Sequence, residues 1–235
     1  MKALPTASEQ LSKIALSNQF SQDYVPPKFH YRVSSIPYCI RKPILRRSPD
    51  WVDLSMVEKQ PDQWQAAHIG TMMHQALQGD ISGSKHVVAI EPEIDLIFDV
   101  EIDDKKLDIH LVGHIDILSH IDNKLKVIDI KALKSSGLNY TPKQEHFLQL
   151  AVYQVAMQCD GELWYMARDT GEEMFYEQDL ATAQSLMAMT IIPKVSIMAQ
   201  AELREELPPI PLQHASKQGQ FWECRYCEFS SFCFE

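Results

Sequence analysis

Three stretches rich in isoleucine and valine follow one another between His86 and Leu133, and they constrain the fold more than any other part of the sequence. Their sequences are HVVAIEPEIDLIFDVEI, KLDIHLVGHIDILSHI and KLKVIDIKAL. Apolar and polar residues alternate within each stretch, and this period of two is typical of a β-strand with one face in the core. We therefore predict that these stretches form strands.

Helical patterns lie on both sides of these strands. Residues 51–77 predict helices broken near Pro61, and the second of them begins at about Asp62. Residues 142–157 predict a further helix. Its segment FLQLAVYQVAM is apolar almost all round, which is typical of a buried helix.

Another strand pair and a long helix complete the pattern. The stretches GELWYMAR and EEMFYEQ flank the turn sequence Asp169-Thr170-Gly171, which predicts a hairpin. Residues 179–206 have a long helical pattern. This order of helices and strands predicts an α/β or α+β core.

The chain has 235 residues, which is enough for one domain with appendages. Residues 1–38 contain four prolines and predict an irregular arm around one short helix near residues 7–19. We assign residues 39–235 to a single domain, and its last part, residues 207–235, carries a cysteine cluster. No apolar run approaches the roughly 18 residues that cross a bilayer, and the first residues lack the apolar core of a signal peptide. We therefore expect a cytoplasmic protein.

One segment is basic although the whole chain has a formal net charge of −10. Residues 24–49 contain no Asp or Glu, whereas six lysines and arginines are present. They are Lys28, Arg32, Arg41, Lys42, Arg46 and Arg47. Such a segment is able to contact the phosphates of a nucleic acid. A solvated basic arm without a partner explains the same composition equally well.

The second and third strands meet at Asp122-Asn123, which has the length and composition of a two-residue hairpin loop. This loop places Asp116 directly opposite Asp129, with Cβ atoms about 4.5–5.5 Å apart. Lys131 lies two residues beyond Asp129 and therefore shares its face of the strand.

Two carboxylates at that distance repel each other and destabilise a sheet unless something compensates. A divalent cation is one compensation; it would polarise a phosphoryl oxygen, while Lys131 would orient the nucleophile or support the developing charge. The other interpretation is two solvated acids that share Lys131 as their salt-bridge partner. A shifted register would also remove the opposition of the two acids.

Four short motifs follow one another in this part of the chain. They are Gly70-Thr-Met-Met-His74, Gly113-His114-Ile115-Asp116, Asp129-Ile130-Lys131 and Gln149-Leu-Ala-Val-Tyr153. The series resembles the G-x-x-x-H, G-x-x-D, (D/E)-x-K and Q-x-x-x-Y motifs of the RecB-type PD-(D/E)XK nucleases. The resemblance implies an α/β fold with a restriction-endonuclease-like core, in which helices flank a mixed central sheet. It also implies metal-dependent cleavage of DNA.

The resemblance implies a role for each motif residue. His74, Asp116 and Asp129 would bind Mn²⁺ or Mg²⁺, with the carbonyl of Ile130 completing the ligand set. Lys131 would be the catalytic lysine. A histidine alone in an amphipathic helix is more often structural, so the case for His74 depends on the other motifs.

The remaining motif residues are less specific. Gln149 and Tyr153, four residues apart on one helical face, would brace the site or touch DNA, but both would also fit a core role. Glu93 is a further candidate acid from the first strand. Ala132 departs from the family, which often has Thr or Ser at this position.

Three of the five cysteines lie close to the end of the chain. Cys224-x-x-Cys227 followed by Cys233 has the ligand spacing of a thiolate metal site. Cys39 and Cys159 are the candidates for a fourth ligand, and Cys39 fits better because Cys159 ends the apolar helix like a small buried hydrophobe. Four cysteines alone do not distinguish Zn²⁺ from an iron–sulfur cluster.

The cysteine arrangement resembles the iron–sulfur branch of the same nucleases, which includes CRISPR-associated and helicase-associated exonucleases. That resemblance implies a [4Fe–4S] cluster that ties the N- and C-terminal regions together through Cys39, Cys224, Cys227 and Cys233.

Two functions follow from these patterns. The first is a metal-dependent DNA exonuclease that acts on single strands or duplex ends in recombination, repair or CRISPR adaptation. In this function Arg41, Lys42, Arg46 and Arg47 would guide the strand. The second is a DNA-binding adaptor with an idle nuclease site, which partners a helicase, an integrase or a single-strand annealing protein.

Overall fold

The computed structural model describes residues 27–47, 61–215, 221–225 and 227–234. Within these ranges eight strands form two sheets. They are β1 (His30–Arg32), β2 (Val87–Ile90), β3 (Glu93–Ile102), β4 (Lys105–His114), β5 (Ile117–Ile121), β6 (Lys124–Leu133), β7 (Asp160–Ala167) and β8 (Glu173–Gln178). The helices predicted near residues 7–19 and before Pro61 lie outside the described ranges.

Helices flank the sheets, as the sequence predicted for this mixed α/β fold. They are α1 (Arg41–Arg47), α2 (Pro61–Ile81), α3 (Ser135–Leu138), α4 (Gln144–Met157), α5 (Leu180–Leu186), α6 (Ile192–Arg204), α7 (Leu212–Ala215), α8 (Trp222–Arg225) and α9 (Ser230–Phe234). A 3₁₀ turn, Val33–Ser35, follows β1, and a π-helical turn, Met187–Ile191, joins α5 to α6.

One sheet has the strand order β1-β4-β3 and the other has the order β2-β5-β6-β7-β8. Both sheets are mixed, because β1 with β4 and β6 with β7 are parallel pairs and the other pairs are antiparallel. The two predicted hairpins are confirmed, and they join β5 to β6 and β7 to β8. Asp122 and Asn123 have φ angles of 51° and 59°, the positive values that a type I′ hairpin turn requires.

The first two isoleucine- and valine-rich stretches each form two strands in different sheets, whereas their alternation predicted a single strand for each. The first stretch divides into β2 and β3. The second stretch leaves the three-stranded sheet after His114 and enters the five-stranded sheet at Ile117. Between them, the Ile115 N–H donates to the Pro92 carbonyl at 3.0 Å. Because Ile115 and Ile117 are both buried, the alternation continues through the junction and does not reveal it.

Helix α4 forms the crossover between the parallel strands β6 and β7, together with the short α3. It is buried, as its apolar sequence predicted, and Leu150, Ala151 and Val152 are fully inaccessible. A Cβ added to Gly161 of β7 would lie 2.8 Å from the Gln154 side chain. A glycine at this position therefore lets α4 approach the sheet closely.

Strand β1 lies where the sequence predicted an irregular arm, but it belongs to the core. Tyr31 is fully buried, and its hydroxyl donates to Glu202 of α6 at 2.8 Å. Glu202 also accepts from the Phe29 N–H at 2.9 Å and pairs with Arg47 of α1, which lies over the Tyr31 ring. A buried carboxylate is tolerated when it is paired and hydrogen-bonded. Glu202 thus joins β1, α1 and α6.

Residues Leu180–Arg204 form the one helical stretch of the described ranges that is long and apolar enough to cross a membrane. The sequence predicted no such stretch. Ala183, Ile191, Val195 and Met198 of this stretch pack into the core, although only 22% of its most apolar part is buried.

We expect Glu202→Ala to lower the free energy of unfolding by about 3–5 kcal/mol, because Arg47 would stay buried without its partner. Glu205→Ala is the matched control, since the Glu205 side chain is 78% exposed and pairs with Lys28 at the surface. The control should change stability by less than about 1 kcal/mol. Urea denaturation at pH 7 measures both variants, and equal losses would contradict a buried ion pair that stabilises the fold.

Candidate active site

Four elements bring the predicted site residues together. Helix α2 lies against β6, and α4 packs on β6 and β7. The junction between β4 and β5 lies beside β6. The side chains that meet there are His74 of α2, Asp116 of the junction, Asp129 and Lys131 of β6, and Gln149 and Tyr153 of α4.

Asp116 is held from several sides. Its Oδ2 accepts a hydrogen bond of 2.6 Å from the Ile130 N–H, and its Oδ1 lies 3.7 Å from Nδ1 of His74. Its backbone carbonyl accepts hydrogen bonds from Nε2 of Gln78 at 3.1 Å and from the Glu91 N–H at 3.2 Å. The carboxylate therefore has one oxygen fixed by β6 and the other directed towards α2.

The strand register explains the position of Asp116. The predicted pairing of β5 with β6 is confirmed as far as Ile117 opposite Ile128. Asp116 precedes β5, so its side chain, rather than its backbone, meets the Ile130 N–H beyond the end of the paired strands. Since the N–H and C=O groups of one strand residue point to the same side, the Ile130 carbonyl also points towards this edge.

Asp129 lies in the interior, with only 1% of its surface exposed. Burial raises the pKa of its carboxyl group to about 6; the nearby Lys131 ammonium opposes this rise, and the Asp116 carboxylate adds to it. The two acids therefore interact, as the hairpin predicted. The alternative of two solvated acids that share Lys131 is wrong about the solvation of Asp129, because this side chain is not in water. Its pairing of Lys131 with Asp129 is confirmed.

Lys131 connects Asp129 to α4. Its Nζ lies 2.8 Å from Oδ2 of Asp129 and donates a hydrogen bond of 3.0 Å to Oε1 of Gln149. Gln149 in turn donates from Nε2 to the Tyr153 hydroxyl at 3.3 Å. Gln149 and Tyr153 are one helical turn apart, so α4 fixes the direction of the Lys131 ammonium.

Gly113 allows Tyr153 to pack against β4. A Cβ at this position would lie 3.1 Å from the Tyr153 hydroxyl oxygen and 3.3 Å from Cβ of Val33. A larger residue would displace Tyr153 and, through Gln149, the lysine. Close packing of Tyr153 against β4 therefore explains the glycine of the G-x-x-D motif in this chain.

Gln78 is a site residue that sequence reasoning missed. Its side chain is 4% exposed and donates to the Asp116 carbonyl. It lies four residues after His74 on α2, so the two side chains share one helical face. The sequence could have indicated this role, because a polar residue one helical turn beyond a candidate ligand shares its face of the helix.

The donor atoms of this site suit a divalent cation. Among the residues that the structure describes, no three His, Cys, Asp or Glu side chains are close enough together to hold a metal ion. However, Asp129 is buried beside the Asp116 carboxylate, and the Lys131 ammonium 2.8 Å from its Oδ2 offsets only part of the cost, because its pKa stays raised. Two neighbouring carboxylates that share one ammonium can bind a further positive charge, and with His74 beside them the oxygen and nitrogen donors fit Mg²⁺ or Mn²⁺. Glu93 lies exposed opposite His114, and its contribution stays a prediction.

The four predicted cysteine ligands are Cys39, which precedes α1, and three thiols of the C-terminal segment. Burial raises the pKa of Cys224 to about 11, and the charges of Cys39, Cys227 and Cys233 add to the rise. Cys159 packs in the hydrophobic core, as predicted. In the described part of the chain, no three thiols are close enough to bind a single metal ion.

Two glutamates hold the cysteine-bearing segment against the first described residues. Glu228 pairs with Lys42 at 2.8 Å and with Arg46 at 2.5 Å, both in α1. Burial raises the pKa of Glu223, and a hydrogen bond from the Cys39 N–H opposes this rise. The two ends of the described chain are therefore held together by the ion pairs of Glu228 and by the hydrogen bond between Glu223 and the Cys39 backbone.

Three of the basic residues predicted to contact nucleic acid pair with carboxylates inside the protein. Lys42 and Arg46 share Glu228, and Arg47 pairs with Glu202 and is only 9% exposed. These pairs offset much of the positive charge of the segment. A direct contact with DNA stays a prediction for these residues.

Comparisons with known proteins identify the family. The model of the PD-(D/E)XK nuclease superfamily matches residues 50–234, and the chain belongs to this superfamily. Twenty-one chains of solved structures match. The crystal structure of SSO0001 has a TM-score of 0.61 and 23% sequence identity, and the match covers 97% of this chain and 96% of that chain. At this identity the likeness shows a shared fold. No curated protein matches.

Membership of the superfamily supports a nuclease, which is a hydrolase of phosphodiester bonds. Nucleases of this superfamily use divalent metals such as Mg²⁺ or Mn²⁺, and DNA is the substrate that membership implies. The mixed sheets and flanking helices agree with the expected restriction-endonuclease-like core.

We expect Asp129→Asn to stabilise the metal-free protein at pH 8 by on the order of 3 kcal/mol. The folded pKa of about 6 lies above the ordinary value of 3.8, so ionisation of Asp129 costs stability as the pH rises through 6, and the variant avoids this cost. At pH 4 the two proteins should be equally stable. Mn²⁺ should stabilise only the wild type.

Urea denaturation at pH 4 and pH 8, with EDTA or with Mn²⁺, measures these differences. Asp122→Asn is the control, because Asp122 is an exposed acid of the hairpin loop. A destabilised Asp129→Asn variant at pH 8 would contradict the electrostatic cost assigned to this carboxylate.

We expect Gln78→Leu to raise the Mn²⁺ concentration for half-maximal stabilisation roughly tenfold, because a group that orients a ligand typically contributes 10–100-fold to metal affinity. Gln75→Leu, at an exposed position of the same helix, should leave that concentration unchanged. A thermal-shift titration with Mn²⁺ measures both variants, and an unchanged midpoint for Gln78→Leu would argue against its role in positioning Asp116.

Proposed function

We propose that this protein is a metal-dependent DNA exonuclease of the RecB-type iron–sulfur branch, acting on single strands or duplex ends. The main support is the arrangement in which Asp116 reaches both His74 and β6, while Asp129 and Lys131 lie beside it. The superfamily match supplies the reaction class, and these side chains supply the groups that the reaction needs.

His74, Asp116 and Asp129 would hold the divalent ion, together with the carbonyl of Ile130. A bound Mg²⁺ or Mn²⁺ supplies charge stabilisation at the phosphoryl oxygen and lowers the pKa of a water. Asp116 orients its free oxygen because the Ile130 N–H holds the other one at 2.6 Å. Asp129 would contribute a buried carboxylate whose raised pKa the nearby Lys131 ammonium only partly offsets.

Lys131 would orient the attacking water or stabilise the negative charge that develops on the phosphate. An ammonium group has three donors; Gln149 accepts one of them, and Oδ2 of Asp129 lies within hydrogen-bond distance of the same nitrogen. The side chain is 18% exposed, so it reaches the solvent side of the site while α4 fixes its direction. Gln149 and Tyr153 thus act as positioning residues for the lysine.

The iron–sulfur assignment rests on Cys39, Cys224, Cys227 and Cys233. Their thiols influence one another's pKa, yet no three of the described thiols are close enough for one metal ion. A zinc ion requires sulfur ligands at about 2.3 Å from one centre. A [4Fe–4S] cluster takes four Cys thiolates, which is the number of candidate ligands present.

A nuclease of this kind would work in the cytoplasm in recombination, repair or CRISPR adaptation. Exonucleases need a free DNA end. A helicase would supply such an end, and an integrase or a single-strand annealing protein would use the processed end. These partners follow from the chemistry of the substrate, since strand separation and strand joining create and use DNA ends.

Cleavage of end-labelled single-stranded DNA in the presence of Mn²⁺ tests the function. We expect Lys131→Ala to lower the rate roughly 10²–10³-fold, the typical loss of one group that stabilises developing charge. Lys124→Ala, at an exposed position at the start of β6, should keep wild-type activity. Equal activity of the two variants would refute the assigned site.

Circular single-stranded DNA of the same composition distinguishes the kinds of nuclease. An exonuclease leaves the circle intact and degrades the linear strand, whereas cleavage of the circle would overturn the exonuclease assignment. Salt-sensitive DNA binding without metal-dependent cleavage would instead support the adaptor function with an idle site.

A further inference from the structure

The loop that follows β6 presents an aromatic ring to solvent beside the candidate active site. It comprises residues 134–143, joins β6 to α4 and includes the short α3, and we call it the crossover loop. Its residue Tyr140 is 78% exposed. Among the residues that the structure describes, the Tyr140 hydroxyl has no hydrogen-bond partner and the ring contacts no other aromatic ring. Folding of the domain therefore does not explain this side chain.

The backbone that carries Tyr140 is held at both ends of the crossover loop. The Ser135 N–H and hydroxyl donate to the Asp169 carboxylate at 2.7 and 2.8 Å. The Lys143 N–H donates to the Tyr165 hydroxyl at 3.1 Å. An exposed ring on a loop that is already ordered loses little conformational entropy when it binds a partner.

The crossover loop adjoins the groups of the candidate active site. Lys131 lies two residues before the end of β6 at Leu133, which is about 7 Å along the strand. Tyr165, whose hydroxyl holds the far end of the loop, is the register partner of Lys131 in β7. Register partners in neighbouring strands direct their side chains to the same face of the sheet. The loop therefore begins and ends beside the face that carries Lys131.

Two lysines give the crossover loop a positive charge. Lys134 is exposed and Lys143 is half-buried, and neither forms an ion pair with a carboxylate of the described residues. By contrast, Lys42 and Arg46 of α1, which the sequence analysis assigned to DNA, both pair with Glu228. Ammonium groups without a carboxylate partner are available to the phosphates of a nucleic acid.

We propose that the crossover loop binds single-stranded DNA, with Tyr140 stacked on an unpaired base next to the phosphate at the active site and with Lys134 and Lys143 on flanking phosphates. This inference rests on the proposed nuclease function and names its substrate class. An aromatic ring stacks on the face of any base, so the contact does not depend on the DNA sequence. A base inside a duplex has both faces covered by its neighbours, so the contact selects unpaired strands.

Cleavage of end-labelled single-stranded DNA by the full-length protein with Mn²⁺ tests this inference. Tyr140→Ala removes the ring, and Tyr140→Phe keeps the ring without the hydroxyl. Phe175→Ala is the matched control, because Phe175 is an aromatic residue of β8 that is 53% exposed. Its neighbour Tyr176 contacts Thr141 of the crossover loop, so Phe175 lies on the opposite face of the sheet.

We expect Tyr140→Ala to raise KM for single strands about five- to 100-fold, the range for loss of one base stack. The value of kcat should change less than about twofold, because the ring does not touch the reacting phosphate. Tyr140→Phe and Phe175→Ala should keep the wild-type KM.

A set of strands in which one base at a time is replaced by an abasic residue locates the stack, since each strand keeps all its phosphates. One of these strands should have a raised KM with the wild type and an unchanged KM with Tyr140→Ala, because the variant has no ring to lose the contact. Equal effects of that strand on both proteins would overturn stacking on Tyr140.

The outcomes separate this inference from the proposed function. An unchanged KM in Tyr140→Ala, together with loss of activity in Lys131→Ala, overturns the inference and leaves the nuclease standing. Wild-type protein that binds single strands without cutting them overturns the nuclease, and the dissociation constants of the same variants, measured by fluorescence anisotropy, then decide the inference. Wild-type protein that neither cuts nor binds single strands overturns both.

Discussion

The hydrogen bond from the Ile130 N–H to the Asp116 carboxylate is the contact on which the rest of the site depends. It attaches the junction between the two sheets to β6 at the point where strand pairing has ended. Gln78 and Glu91 hold the backbone of the same residue. Asp116 is thus a structural residue as well as a candidate ligand. A substitution of Lys131 therefore tests the chemistry with less disturbance of the fold than a substitution of Asp116.

The second constraint is electrostatic. Burial of Asp129 beside Asp116 raises its pKa, and Lys131 only partly compensates. A protein that keeps such an arrangement loses stability in exchange for a site whose negative charge suits a cation.

Local patterns predicted much of this molecule. The alternation of isoleucine and valine gave the strands, the Asp122-Asn123 loop gave the register of β5 with β6, and the apolar character of α4 gave its burial. The proximity of Asp129 and Asp116 followed from that register. These features depend on neighbouring residues in one hairpin or helix, so a single sequence carries enough information.

Other features depend on contacts between distant segments. β1 is a strand because it pairs with β4 and because Tyr31 donates a hydrogen bond to Glu202. The sequence of His30–Arg32 alone predicts neither partner. The division of the second stretch between two sheets left the alternation intact, so only the hydrogen bonds reveal it. The ion pairs of Lys42, Arg46 and Arg47 came from glutamates about 150 or more residues away, which local charge counting does not detect.

The parallel crossover has a consequence for how this chain tolerates change. The unit from β6 through α4 to β7 is continuous in sequence and carries Asp129, Lys131, Gln149 and Tyr153. The other site residues, His74, Gln78 and Asp116, precede this unit in the sequence. The Asp122-Asn123 turn separates the two parts of the site in the chain. Because that turn is exposed at the tip of a hairpin, the fold should tolerate an insertion there. Each part of the chain would keep the site residues that it carries.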